Sequence, residues 1–477
     1  MVRRAALALP LVAGCNGCVE ADPLPPAAIV LVLDGVRTDE FSSRFASDLT
    51  GVPGDEYAAE TWRAVAPDAT VVRAALNPGI TITAPAHASM VVGRDEALAN
   101  FPVDTARGPG RYLPELPTIF EEARAQLGLG EDEVFFLANT ELLSPVAESL
   151  YPGFDGGARY DLVLDNGKPV NDDTPVMEEL LARIEAGGPR LVFVNLHDVD
   201  RAGHYGEGDA YIDDVAKIDG LLADFWKALE RDHPDLVPSL LLVVTADHGR
   251  HRHDDHDGFH NHGDACTGCR EVPLMLLGAA KAGQDLDATV TSVDLAPTLA
   301  AHLGIDLPWA EGLPFAEALG ALDTPRRSGD VDVSASGERI ALRSWRDDRE
   351  ARSEVVVDGE VVSTPGIHAA EAPTLLYTAG GARVCFREID LATGEDTLPW
   401  RARCLAESDG AWVEMGFPDD EVGPFFRASL TERDGRLWAA WPNNPHGMTD
   451  LGEEGGVGLA VAAWDPATGW TDRLWAR

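Results

Sequence analysis

Positive charge is the first thing this chain is short of: 38 Lys and Arg residues stand against 80 Asp and Glu, a formal net charge of −42 over 477 residues. That imbalance excludes a nucleic-acid backbone or an anionic membrane surface as partner, because like charge repels both. An acidic surface also concentrates cations, although solvated charge of this kind commonly serves solubility alone. Beyond the first residues, no stretch stays apolar for the roughly 18 residues that a membrane-spanning helix requires, which excludes a helical span. Cysteine is scarce too, with six. Cys266, Cys269, Cys385 and Cys404 lie in the body of the chain, and their spacing lacks the second close pair of a four-cysteine zinc site. The remainder is ordinary globular material, 45% hydrophobic and 25% charged, long enough for two or three domains.

The amino terminus does not read as fold. Arg3 and Arg4 precede an apolar run from Ala5 to Ala13, and Val12, Ala13 and Gly14 lead into Cys15. A charged segment, a short apolar segment and small residues before a cysteine resemble a bacterial lipoprotein signal, in which that cysteine becomes the lipidated first residue. The expectation is an exported chain anchored to the envelope through Cys15. Asn16 to Pro26 then forms a linker. In an exported protein, Cys266 with Cys269 and Cys385 with Cys404 are expected to form disulfides.

From Ala27 the pattern alternates between strand and helix. AAIVLVL before Asp34, EVFFLA from Glu133, RLVFVNL from Arg190, SLLLVVTA from Ser239 and VPLMLLG from Val272 are continuous apolar runs, as in strands buried on both faces of a parallel sheet. Asp209–Arg231 carries Ile212, Val215, Asp219, Leu222, Trp226 and Leu229 at helical spacing, and Thr118–Leu127 and Asp294–Leu303 read as shorter helices. This predicts a doubly wound α/β domain with a mostly parallel sheet over residues 27–325. After TPRRSGD, short runs separated by Asp, Gly and Pro turns predict a smaller β-rich domain over 326–477, a sandwich or a partial, propeller-like sheet.

Ligands gather outside the carboxyl ends of strands in such sheets. Asp34 follows the first run, Asp198, Asp200 and His204 follow RLVFVNL, and Asp247 with His248 follow LLVVTA. One such Asp would mean a cap or a turn. Three clusters of carboxylate and imidazole suit divalent transition metals. Between His251 and Asp264, HRHDDHDGFHNHGD offers five more histidines; its bland reading is a His/Asp-rich loop. In ITITAPAH, Thr83 sits at a turn entering a helix, a weak nucleophile unless a base or metal activates it.

Taken together, LVLDGVR, TAPAHASMVVGR, DRAGHYG, TADHGR and a downstream HG resemble the alkaline phosphatase superfamily, especially its nucleotide pyrophosphatase/phosphodiesterase-like branch, over roughly residues 27–305. The resemblance implies two divalent ions, most often zinc. Asp34, Thr83, Asp247 and His248 would hold one, and Asp200, His204 and His262, with His260 as fallback, the other. Thr83 would attack phosphorus to give a phosphothreonine, which water then hydrolyses. Asn100 is the nearest match for a phosphate-binding asparagine, in a segment that departs from the family pattern. Arg94, Arg201 and Arg250 are the basic groups near the motifs. Sulfatases of this superfamily use a Cys or Ser in a C/SxPxR context; here Thr83 and His87 occupy those places.

Thr81 is the alternative hydroxyl and Asp198 the alternative to Asp200, while His87 reads as a core histidine. The expected function is an exported two-metal hydrolase of phosphate esters acting on a small substrate, with a sulfatase-like or phosphonate hydrolase as alternative. From another class comes a surface lipoprotein that only binds metal or ligand.

Overall fold

The computed structural model describes residues 24–476, apart from 95–112, 115, 155, 207, 253–259, 264–265, 311, 313, 316–339, 348–349, 366–368, 379, 390–400, 409, 419–427, 434, 444–457, 467 and 472–473. The N-terminal signal with Cys15 and the candidate Asn100 lie outside the described residues.

The strands of the first part are β1 (Ala27–Leu33), β2 (Thr70–Leu76), β3 (Val134–Ala138), β4 (Arg159–Leu162), the hairpin β5 (Leu164–Asp165) and β6 (Lys168–Pro169), β7 (Leu191–Leu196), β8 (Leu240–Thr245), β9 (Glu271–Gly278) and β10 (Gln284–Thr291). All but the hairpin form one eight-stranded sheet in the order β10-β2-β9-β8-β1-β7-β3-β4. Of the five runs read from sequence as doubly covered strands, four are buried at every position, in β1, β3, β7 and β8, and the fifth, in β9, at all but Gly278. The reason lies in the helices: α1 (Thr38–Phe41), α2 (Gly54–Tyr57), α3 (Ala59–Ala64), α4 (Thr83–Val92), α5 (Ile119–Leu127), α6 (Thr174–Ala186), α7 (Asp198–Tyr205), α8 (Gly208–Asp232), α9 (Thr267–Arg270) and α10 (Leu295–Leu303). Helices α4, α5 and α10 pack on one another, α3, α6 and α7 each pack on α8, and β3 meets both α5 and α6.

One strand departs from the expectation of parallel pairing. VPLMLLG lies in β9, which runs antiparallel to both β8 and β2. A parallel return would need a crossover long enough to recross the sheet, usually through a helix. Between Thr245 and Glu271 the described residues hold only the four-residue α9. The chain therefore turns back at the carboxyl end of β8, which leaves the whole His-rich loop at the end of the sheet where Asp34 also stands. Strands β2, β4 and β10 were not legible as apolar runs; they lie toward the sheet edges, with mixed sequences such as RYDL and QDLDATVT.

In α8 the apolar stripe is interrupted by Asp219, and the structure explains it. Its carboxylate accepts hydrogen bonds from the Glu60 and Thr61 amides at 3.0 and 2.7 Å. These are first-turn donors of α3 that have no intrahelical partner. Helix α5 is fixed by a capping box between Thr118 and Glu121.

The later part of the chain builds three antiparallel sheets in succession. They comprise β11 (Ile340–Asp347), β12 (Glu350–Val357) and β13 (Glu360–Val361); then β14 (Ala369–Thr378), β15 (Gly381–Ile389), β16 (Arg401–Ser408) and β17 (Ala411–Glu414); then β18 (Ser429–Arg433), β19 (Arg436–Asn443), β20 (Gly458–Asp465), β21 (Gly469–Trp470) and β22 (Leu474–Ala476). Alternation along β15 sends Val384 and Phe386 into a core with Val355 and Val357 of the first sheet, and Cys385 into one with Trp441 and Ala460 of the third. The middle sheet is thus covered on both faces. Cys385 and Cys404 are register partners across β15 and β16 and form the expected disulfide. The other expected disulfide is not formed: Cys266 and Cys269 remain thiols. WDPATGW makes the hairpin of β20 and β21, whereas DLATGEDTLPW lies outside the described residues.

Candidate metal centre and nucleophile

Strand β1 delivers Asp34 to the end of the sheet, and its amide is pinned to the Leu196 carbonyl at 3.0 Å. The chain turns at Gly35, whose φ of +69° and closeness to Asp200 leave no room for a side chain: a Cβ there would lie 2.7 Å from Asp200 Oδ1. Asp34 and Asp200 are thereby brought close together from strands β1 and β7. From the end of β8, Asp247 Oδ1 accepts from the Gly35 and His248 amides at 3.2 and 2.9 Å. Its Oδ2 is buried and has no hydrogen-bond donor among the described residues.

Thr83 is the first residue of α4, and its Oγ1 lies 3.5 Å from Asp34 Oδ1 and 3.3 Å from His248 Nε2. His248 Nε2 is in turn 3.6 Å from Asp34 Oδ1 and 3.4 Å from Asp247 Oδ2. Four side chains from three separate segments therefore aim oxygen or nitrogen at one point. The second group is built the same way. Asp200 Oδ2 lies 3.5 Å from His204 Nε2, Asp200 Oδ1 lies 3.6 Å from His262 Nε2, and the two imidazole Nε2 atoms are 2.9 Å apart. His248 and His262 stack at 3.8 Å, joining the two groups.

The histidines are oriented by their other nitrogens. Nδ1–H of His248 donates to the Gly249 carbonyl at 2.9 Å and Nδ1–H of His262 to that of Thr81 at 2.8 Å. Both leave Nε2 as a lone pair directed inward, the tautomer that metal ligation requires. Burial, with the neighbouring cations, pushes His248 well below its ordinary pKa and His262 down to about 4, so both are neutral at physiological pH. Burial and the charges of Asp247 and Asp200 raise Asp34 to about 6. Burial and Asp200 raise Asp247 to about 7. Burial opposes the charge of Asp200 as well, but Arg250 and the nearby histidines hold it below the usual carboxylate range.

A buried carboxylate oxygen without a donor and facing imidazole lone pairs are costly by themselves and are satisfied by cations. The residues present fit divalent metal ions: Asp34, Asp247 and His248 form one candidate set, and Asp200, His248 and His262 another, each with ligand atoms within 4.8 Å of one another.

A pH dependence follows. Asp34 and Asp247 hold protons in the metal-free fold that the unfolded chain has already released above its carboxylate pKa of 3.8. These two groups therefore bind more protons in the folded state in that window, and the stability they contribute falls as pH rises from about 4 through about 7, against the opposite contribution of His248 and His262, which are neutral when folded. Metal binding must displace those protons, so affinity should weaken by about tenfold per pH unit for each proton displaced on acidification through the same range. Thermal unfolding of wild type and Asp247→Asn with chelator across pH isolates the carboxylate contribution, and metal titration the affinity; a metal-free wild type that gains stability relative to Asp247→Asn from about pH 5 to about pH 8 would reverse the sign and refute the account.

A family model described as the Metalloenzyme superfamily matches residues 154–307. Over that stretch the chain is similar to the Metalloenzyme superfamily. It is 30% identical over 211 residues to a 2,3-bisphosphoglycerate-independent phosphoglycerate mutase of Saccharophagus degradans, covering 41% of this chain and 38% of the mutase. The chain thus spans well under half the length of that relative. Among solved structures it is similar to a 2-O GAG sulfatase, with a TM-score of 0.47, 15% identity and coverage of 71% of this chain and 84% of that one. It is also similar to a phosphonate monoester hydrolase from Silicibacter pomeroyi, with a TM-score of 0.43, 16% identity and coverage of 70% and 88%.

The structure separates the sequence alternatives by geometry. Asp198 is engaged elsewhere: its carboxylate accepts from Lys217 Nζ at 2.6 Å, Arg201 Nη2 at 2.9 Å and the Asp173 amide at 2.9 Å. Thr81 lends its backbone carbonyl to His262. His260 turns Nδ1 toward the Gly203 carbonyl at 3.1 Å. His87 is fully buried one turn along α4, with Nδ1 2.8 Å from the Thr83 carbonyl and 3.4 Å from Asp247 Oδ2. Arg94 lies beyond the far end of α4, about 15 Å along the helix from Thr83. Arg250 is bound to Asp200 and to the His260 carbonyl.

Sequence reasoning missed His197 and Asn195, which both reach Asp34 Oδ2, at 2.9 and 3.1 Å. Burial opposes charge on His197, but Asp34, Asp200 and Asp173 push it up to about 9, making it a cation beside Asp34. The available signal was its position, directly after the buried run LVFVNL. Asn77 was missed too. Its Nδ2 donates to the Ile80 and Asp247 carbonyls at 3.0 and 2.9 Å, tying the turn before Thr83 to the end of β8. From β15, Arg387 donates to the Pro78 carbonyl in that same turn.

Proposed function

We propose that this chain is a metal-dependent hydrolase of phosphate esters, monoester or diester, that works through a phosphothreonine on Thr83. One observation carries the reading: the Thr83 hydroxyl sits at the entrance of α4 between Asp34 Oδ1 and His248 Nε2. Asp34, Thr83, Asp247 and His248 would hold one ion, and Asp200, His204 and His262 a second; mixed imidazole and carboxylate donors favour zinc. When bound, such ions supply charge neutralisation and an acidified hydroxyl.

The side chains do the rest. Thr83 Oγ1 forms a bond to phosphorus as the bond to the ester oxygen breaks, and the alcohol leaves with a proton. Water then attacks the phosphothreonine, releasing phosphate or its monoester and restoring the hydroxyl. His197, 2.9 Å from Asp34 Oδ2, lends positive charge to the site. The substrate is small and phosphorylated, and the N-terminal pattern supports an exported protein anchored through Cys15.

Sulfate and phosphonate esters make the same demands on the site and stay as alternatives. Transfer of the phosphoryl group to a second hydroxyl is a further reading, favoured by the mutase similarity. A panel of p-nitrophenyl phosphate, its diester, and sulfate and phosphonate analogues, assayed with metal-loaded protein, tests the hydrolase. Phosphate esters should be turned over fastest, with phosphate or alcohol released to water. If none of the four is hydrolysed the hydrolase reading fails, and transfer to an added alcohol without hydrolysis would select the mutase-like one.

A further inference from the structure

Three donors outside the two groups above converge a short distance behind them. His251, Cys266 and Cys269 place one ligand atom each within 4.8 Å of the others, with His251 and Cys269 buried and Cys266 partly so. We propose that His251, Cys266 and Cys269 bind a further divalent ion, of the soft class that zinc represents, as a structural clamp on the loops that carry the catalytic groups.

The chemistry matches. Two thiolates and one imidazole are preferred zinc donors, and tetrahedral zinc with Zn–S of about 2.3 Å and Zn–N of about 2.0–2.1 Å sets its donors roughly 3.5–3.8 Å apart. Here the three ligand atoms lie within 4.8 Å of one another. Cys266 caps α9, and its Sγ accepts the Cys269 amide at 3.3 Å, which turns both sulfurs to the same side and favours the thiolate. Each thiol gives up its proton to solvent when the ion binds, and nothing is oxidised.

The position gives the ion a purpose. The Gly249 amide donates to the Cys269 carbonyl at 2.8 Å, and the Asn77 amide donates to the carbonyl of Arg270, also at 2.8 Å. The cysteine turn is thus hydrogen-bonded to the segment bearing Asp247 and His248 and to the turn that leads to Thr83. The backbones approach so closely that a Cβ on Gly268 would lie 2.4 Å from the Arg250 carbonyl. His251 stands three residues beyond His248, so an ion shared with Cys266 and Cys269 would tie the start of the His-rich loop to the start of β9.

The test compares the full-length protein with its Cys266→Ser/Cys269→Ser variant and counts thiols as well as metal. The expected results are one fewer ion per chain in the variant, and two wild-type thiols that react with a chromogenic disulfide reagent only after a chelator is added. Cobalt-loaded wild type should also show thiolate-to-metal charge-transfer absorption that the variant lacks. The difference between the preparations carries the result, so failure of the two-ion hydrolase reading leaves it untouched. An equal metal content would overturn the proposal. So would wild-type thiols that react fully without chelator, or that stay silent in denaturant with chelator, the mark of a disulfide. The thiol arm needs no variant and survives if the double substitution does not fold.

Discussion

Thr83→Ala is expected to lower turnover of the best phosphate ester by about a thousandfold or more while the metal content stays that of wild type. The substitution removes one oxygen from a site whose other three donors, Asp34, Asp247 and His248, are held by contacts that do not involve it. Asp34 is fixed by the Leu196 carbonyl, Asn195 and His197, and Asp247 by two backbone amides. Alanine also suits the first turn of α4, so the fold should be unaffected. Thr83→Ser keeps the oxygen and should retain much of the activity. Metal content by mass spectrometry and steady-state kinetics decide the matter together. Loss of turnover with loss of metal would reduce Thr83 to a ligand, and unchanged turnover would remove it from the mechanism.

What could be read from sequence followed from how strongly burial constrains composition. Strands β1, β3, β7 and β8 are enclosed on both faces, so their residues are apolar throughout, and the acid or imidazole that ends the run stands out. Asp34, Asp247 and His248 were legible for that reason. Edge strands carry no such signature, and the direction of β9 depended on what did not lie between it and β8. The role of Thr83, the choice of Asp200 over Asp198 and that of His262 among the loop histidines came from motif resemblance, and coordinates were needed to see them meet. Nothing local marks Asn77, whose work is done by a side-chain amide reaching 170 positions along the chain. The CxxC turn was read as a disulfide because spacing alone cannot reveal a histidine arriving from the neighbouring loop.

Asp200→Ala should have the other large effect, and on two properties at once. The carboxylate faces His204 and His262, so its removal takes away the oxygen donor of the second group. It also ion-pairs with Arg250, a fully buried guanidinium that donates in addition to the Asp200 and His260 carbonyls. Breaking a buried pair by removing one partner leaves the other charge without compensation, which costs about 3–5 kcal/mol. His204→Ala separates the two consequences, because it removes a donor of the same group and leaves Arg250 with Asp200. Both variants should lose the second ion and most of their turnover, yet only Asp200→Ala should show a denaturant midpoint shifted down by the amount a broken buried pair implies. Unfolding should be followed with chelator present, so that ion loss cannot contribute to the difference. Equal midpoints for the two variants would mean that the Arg250 guanidinium is satisfied by its carbonyls alone, and that Asp200 is held in place for the metal rather than for the fold.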